Sequence, residues 1–133
     1  MGTWDIGSFD NDAAADFAGR LDKARAEERE GIVRAALARA AEADDVEADD
    51  GSEAVAAATL VAAQCPGGKP VTTAYGPREA LPAFPADLAP LAVRALDRVL
   101  ANSELAVLWD DAGHGPLWRQ GVGDLREVLA QST

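Results

Sequence analysis

The side chains able to do chemistry fall into a few groups. Near the N-terminus stand Trp4, Asp5, Phe9, Asp10, Asn11, Asp12 and Asp16. On a helix, Asp12 and Asp16 are one turn apart and could share a hard cation such as Mg²⁺ or Ca²⁺. That reading makes the chain a small enzyme or metal-binding protein working through its N-terminal aspartates. The same residues also suit a folded N-terminus. Trp4 and Phe9 would be apolar anchors, and Asp10 or Asn11 would accept bonds from the free amides of a first turn. Asp12 would sit where the helix dipole favours negative charge. The structural reading gives Trp4, Phe9, Asp10, Asn11 and Asp12 each a task and is preferred.

Residues 42–53 hold seven acids and no base: Glu42, Asp44, Asp45, Glu47, Asp49, Asp50 and Glu53. A calcium loop needs a glycine at its sixth position and a glutamate at its twelfth. Counting from Asp45, the sixth residue is Asp50 and the twelfth is Ala56. The pattern therefore reads as a solvated acidic connection. Asp44, Asp45, Asp49 and Asp50 are the candidates to face a partner. Asp50 with Glu53 three residues later also resembles a capping box opening the next helix.

His114 is the only histidine and follows Asp110 and Asp111. An Asp–His pair could bind metal or exchange protons, but one histidine cannot build a zinc cluster. A glycine-flanked surface turn is the simpler reading. Cys65 is the only cysteine, in Gln64-Cys65-Pro66-Gly67-Gly68. A nucleophilic thiolate is favoured by a helix N-terminus or a basic neighbour. Cys65 instead ends an apolar helical stretch, where the dipole has the opposite sign. Gly67 and Gly68 read as the closure of that helix. No metal or cofactor is expected from these patterns.

The elements that must position these groups are helical. The chain has 133 residues, 48% apolar, enough for one domain with a sizeable core. Thirty of the apolar residues are Ala, the strongest helix former, while Val and Ile together number 12. The recurrence of Phe9, Ala13, Phe17 and Leu21 predicts a first helix starting near Asp12. The stretch from Asp22 to Glu30 has no large apolar residue and reads as a break or solvated segment. Ile32, Val33, Ala36, Leu37 and Ala40 mark a second amphipathic helix. Val55, Ala58, Leu60, Val61, Ala62 and Ala63 are apolar nearly all round, which predicts a third, central helix.

Residues 65–85 contain five Pro and three Gly, which excludes regular helix through most of the stretch. A loop this long is packed or functional, and a small-ligand pocket beneath it near Tyr75 and Phe84 is a further possibility. Pro85 or Pro90 suits the first turn of a fourth helix, with Leu88, Leu91, Ala92, Ala95 and Val99 inward. Asn102 or Ser103 can cap a short fifth helix carrying Leu105, Leu108 and Trp109. Gly113–Gly115 ends it. Pro116 opens a sixth helix with Trp118, Val122, Leu125 and Leu129 as a stripe, weakened by Gly121 and Gly123.

The opening run Gly2-Thr3-Trp4-Asp5-Ile6-Gly7-Ser8-Phe9-Asp10-Asn11-Asp12-Ala13 is distinctive. It resembles the start of a bacterial family known as domain of unknown function 4259. The stretches AVAAATLVAAQCPGG and LAVRALDRVL, and the pairs Leu108-Trp109 and Leu117-Trp118, are similar to that family as well. Ser8 departs from the proline expected there. The resemblance covers essentially the whole chain, and it implies no activity, cofactor or catalytic residue.

The expected fold is all-α: one domain over 1–133, a compact bundle of five or six short helices with a long Pro/Gly-rich loop. The formal net charge is −11, from 23 acids against 12 Lys and Arg. That disfavours nucleic acid and anionic membranes as partners. One Cys points to a reducing compartment. The start has no basic segment followed by an apolar run, so no signal peptide is read there. The expected location is therefore the cytoplasm, and the ten Arg against two Lys suit a high-GC bacterial source. The function expected is that of a non-enzymatic acidic interaction or regulatory module with a basic protein partner.

Overall fold

The structure is a computed structural model, and it describes residues 12–68, 81–101 and 103–132. Six helices follow one another among these residues: α1 (Asp12–Lys23), α2 (Ala26–Glu42), α3 (Ala48–Ala63), α4 (Leu88–Ala101), α5 (Glu104–Asp111) and α6 (Gly115–Ala130). The chain is all-α, as its composition dictates. No described helix is long and apolar enough to cross a membrane.

Helix α3 is the hub. Ala54 to Ala58, Leu60, Val61 and Ala62 are all buried, and α3 packs against α1, α2, α4, α5 and α6. Its small side chains permit neighbours at close range from every direction. Gly51 shows this most directly, because a Cβ there would lie 3.2 Å from the Leu105 Cβ of α5. The larger side chains come from the surrounding helices: Phe17 and Leu21, Val33 and Leu37, Leu88 and Leu96, Trp118 and Leu129. Burial of such residues at roughly 1.5–3 kcal/mol each drives assembly.

Several local expectations are corrected. In α1 the buried face is Ala14, Phe17, Ala18 and Leu21, with Ala13 half-buried. The expected anchors and caps at Trp4, Phe9, Asp10 and Asn11 lie outside the described residues. The expected break over 22–30 shrinks to the two residues between α1 and α2. Helix continues there because the buried contact comes from a charged residue. Arg29 is buried, its Nε donates to Leu21 O at 3.0 Å and its Nη2 to Ala24 O at 3.0 Å. It thus caps the C-terminal end of α1, adding a second bond to Leu21 O, which also accepts from Ala24 N–H, and taking up Ala24 O in the turn beyond.

The acidic connection is also shorter than expected, since α3 starts at Ala48 and takes in Asp49, Asp50 and Glu53. The capping box does not form. Asp50 sits in the first turn, and the N-cap Glu47 makes no side-chain cap bond. Glu104 of α5 takes over that task, its Oε1 accepting from Ala48 N at 3.0 Å. At the other end the C-cap is Gln64, and Gly67, with φ of +84°, belongs to the turn beyond it.

Ser103 is the cap of α5, accepting from Ala106 N at 3.0 Å, and Pro90 and Pro116 both sit in first turns. Leu88, Leu91, Ala92, Ala95 and Val99 are buried on α4 as their spacing predicts. On α5, which carries Leu105, Leu108 and Trp109 as its spacing predicts, Leu108 is 52% exposed and Ala106 is the buried residue. In α6, Trp118, Val122 and Leu129 are buried and Leu125 partly so. The helix runs unbroken through Gly121 and Gly123 because the flanking stripe is anchored in the core.

Candidate functional site

Five exposed carboxylates crowd the turn between α2 and α3: Glu42, Asp44, Asp45, Glu47 and Asp49. None of them has an ion-pair partner among the described residues. The backbone that carries them is tightly held. Arg98 reaches across from α4, its Nε donating to Ala43 O at 3.0 Å and its Nη2 to Ala43 O and to Asp44 O, the latter at 2.9 Å. Val46 is 1% exposed and forms an isolated parallel bridge with Ser103. Glu104 N donates to Val46 O at 2.8 Å, and Glu104 Oε1 closes the next turn at Ala48.

The turn is thus pinned from α4 and from the start of α5, through its backbone rather than through its carboxylates. Such charges at short spacing raise the local negative potential, which attracts cations and cationic surfaces. The other two acids of the run behave differently. Glu53, 15% exposed, pairs with Arg20 and lies 3.7 Å from Arg39, and Asp50 lies 3.6 Å from Arg39. Of the four candidates read from sequence, Asp44, Asp45 and Asp49 are therefore brought together as unpaired charges, and Asp50 is tied into the fold.

The remaining candidates separate. Asp12 and Asp16 are exposed along α1. Among the described residues no three His, Cys, Asp or Glu come together as a metal-ligand set. Asp110 binds Arg119 at 2.9 Å, and His114 packs edge-on against Trp109, with ring centroids 6.2 Å apart. The Cys65 thiol donates to Val61 O at 3.4 Å. Tyr75 lies outside the described residues, while Phe84 packs against the core and its N–H donates to Gln64 Oε1 at 2.9 Å.

Sequence reasoning missed Arg98, Ser103 and Glu104 as the residues that shape the acidic turn. Each acts on a residue more than fifty positions away, so no local pattern announces it. Only the expected capping role of Ser103 was visible.

A family model matches residues 2–121, nearly the whole chain. The chain belongs to the DUF4259 family, described as a domain of unknown function. No curated protein and no solved structure matches it. In this DUF4259 member, the stretch LAVRALDRVL that carried the resemblance is the α4 segment bearing Arg98.

Proposed function

We propose that this DUF4259 chain is a non-enzymatic acidic interaction module that binds a basic protein through the turn of residues 42–49, in a regulatory or neutralising role. The observation that carries this reading is the combination of a fixed backbone with free carboxylates. A pinned turn loses little conformational entropy on binding, and among the described residues its charges are not spent on internal pairs. Asp44, Asp45 and Asp49 are the recognition residues, with Glu42 and Glu47 beside them. We assign the module to a bacterial cytoplasm, on the Arg-over-Lys bias and the single Cys. Nucleic acid is not the expected partner, since the field of a −11 chain repels phosphates.

The test is capture of the partner from the native host, followed by kinetics with the Asp44→Asn/Asp45→Asn/Asp49→Asn variant. Charges of this kind mainly accelerate encounter. Association should slow roughly tenfold at low salt, where screening is weakest, with a smaller change in dissociation. An acidic or nucleic-acid partner, or unchanged association at low salt, overturns the proposal.

A further inference from the structure

With 23 acids to 12 Lys and Arg in the chain, an arginine should find a carboxylate easily. Arg94 does not: among the described residues it has no ion-pair or hydrogen-bond partner. On its own helix, the positions at pairing distance are Pro90, Leu91, Asp97 and Arg98. Asp97, the one acid among them, is taken on both oxygens by Arg126 of α6, at 2.5 and 3.3 Å. Arg98 is turned to the carbonyls of Ala43 and Asp44.

Arg94 stands in an open groove of about 590 Å³ formed where α4 packs against α2 and α6. Leu91 and Val93 contribute apolar surface, and Arg34 and Arg126 line the groove from α2 and α6. Both of these guanidiniums are already neutralised. Arg34 makes a bidentate pair with Asp87, at 2.7 and 3.2 Å, and also donates to Glu30 at 3.1 Å. The Asp87 carboxyl is held below its ordinary range by that hydrogen bond from Arg34, so it stays ionised and matched. Of the three guanidiniums that line the groove, Arg94 is the one with no carboxylate partner among the described residues.

We propose that this groove binds a small monocarboxylate with an aliphatic tail, its carboxylate held by Arg94 and its tail lying on Leu91 and Val93. The planar fork of a guanidinium matches a carboxylate with two parallel hydrogen bonds. One guanidinium without a carboxylate partner among the described residues suits a ligand that carries one carboxylate. A dianion would leave an unmatched charge in a protein that already carries an excess of them. The volume is that of a small-molecule site, which typically combines an apolar lining with a few fixed polar groups.

The experiment is amide chemical-shift titration of the full chain with hexanoate, hexanamide and acetate. Hexanoate should give saturable shifts at Leu91, Val93, Arg94 and Arg126. Hexanamide lacks the charge and acetate lacks the tail, so each should bind at least about tenfold more weakly. Arg94→Gln should weaken hexanoate by a similar factor, whereas Arg25→Gln, at another exposed arginine, should not. Arg94 is exposed, with no side-chain partner among the described residues, so its replacement leaves the fold intact, which unchanged shifts elsewhere will verify. The absence of saturable shifts at millimolar hexanoate overturns the proposal. So does equal affinity for the amide, or an Arg94→Gln variant that binds as well as the parent.

Discussion

Asp49 and Asp50 are neighbours in the first turn of α3, yet they live in different electrostatic surroundings. Asp49 is exposed with no ion-pair partner among the described residues, and Asp50 lies 3.6 Å from Arg39. The division extends through the whole acidic run. From Glu42 to Asp49 the chain is held by its backbone, through Arg98, Ser103 and Glu104. From Asp50 to Glu53 it is held by its side chains, through Arg20 and Arg39. A carboxylate whose backbone is fixed can be changed without loosening the fold. A carboxylate that is itself the fastener cannot. The same residue type therefore serves surface charge in one half and helix packing in the other.

The strongest way to break the contrast is to remove the buried anchor of the turn. Val46→Ala deletes two methyl groups from a site that is 1% exposed. It should lower stability by about 2 kcal/mol, combining lost burial with a cavity, as read by urea unfolding. Next comes Arg98→Ala, which strips the hydrogen bonds from Ala43 O and Asp44 O. Charge-assisted bonds of this kind contribute about 1.5–3 kcal/mol at most, and the site is only part-buried. A loss of about 1–2 kcal/mol is expected, with faster amide exchange over residues 43–47.

Glu53→Gln probes the other half. The carboxylate is 15% exposed, but Arg20 and Arg39 are about half exposed. Screening by solvent limits the expected loss to about 1 kcal/mol, and raising the salt should reduce it further. The smallest stability effect belongs to the Asp44→Asn/Asp45→Asn/Asp49→Asn variant. Its unfolding midpoint should stay within error of the parent, even as partner association slows. If this variant unfolds as readily as Glu53→Gln, the contrast between the two halves fails.

Much of the fold was legible in sequence because helix formation and burial leave periodic traces. The inward faces of α2 and α4 and the all-round burial of α3 follow from apolar spacing. Ser103 and Pro116 announce their helix starts through local backbone chemistry. Misreadings cluster where a polar group does a structural task. Arg29 is buried inside a stretch that looks solvated, and Asp50 pairs with Arg39 where its spacing to Glu53 suggests a cap. Spacing left the burial of Leu108 open; it is an apolar residue left outside because α5 has only eight residues and turns Ala106 to the core.

The candidate surface was legible only as composition. Seven acids in twelve residues state that negative charge gathers between the second and third helices. They do not state which of the seven remain free. That was decided when α1 and α2 brought Arg20 and Arg39 to Glu53, and when α4 and α5 brought Arg98 and Glu104 to the backbone of the turn. The sequence by itself determined the helices, the Ala-rich hub and the sign of the field, because those depend on neighbours a few residues apart. Tertiary structure alone decided which charges are neutralised, why Arg94 has no partner among the described residues and how the turn is held. Those outcomes rest on side chains far apart in sequence, and their reach is set by how the helices pack.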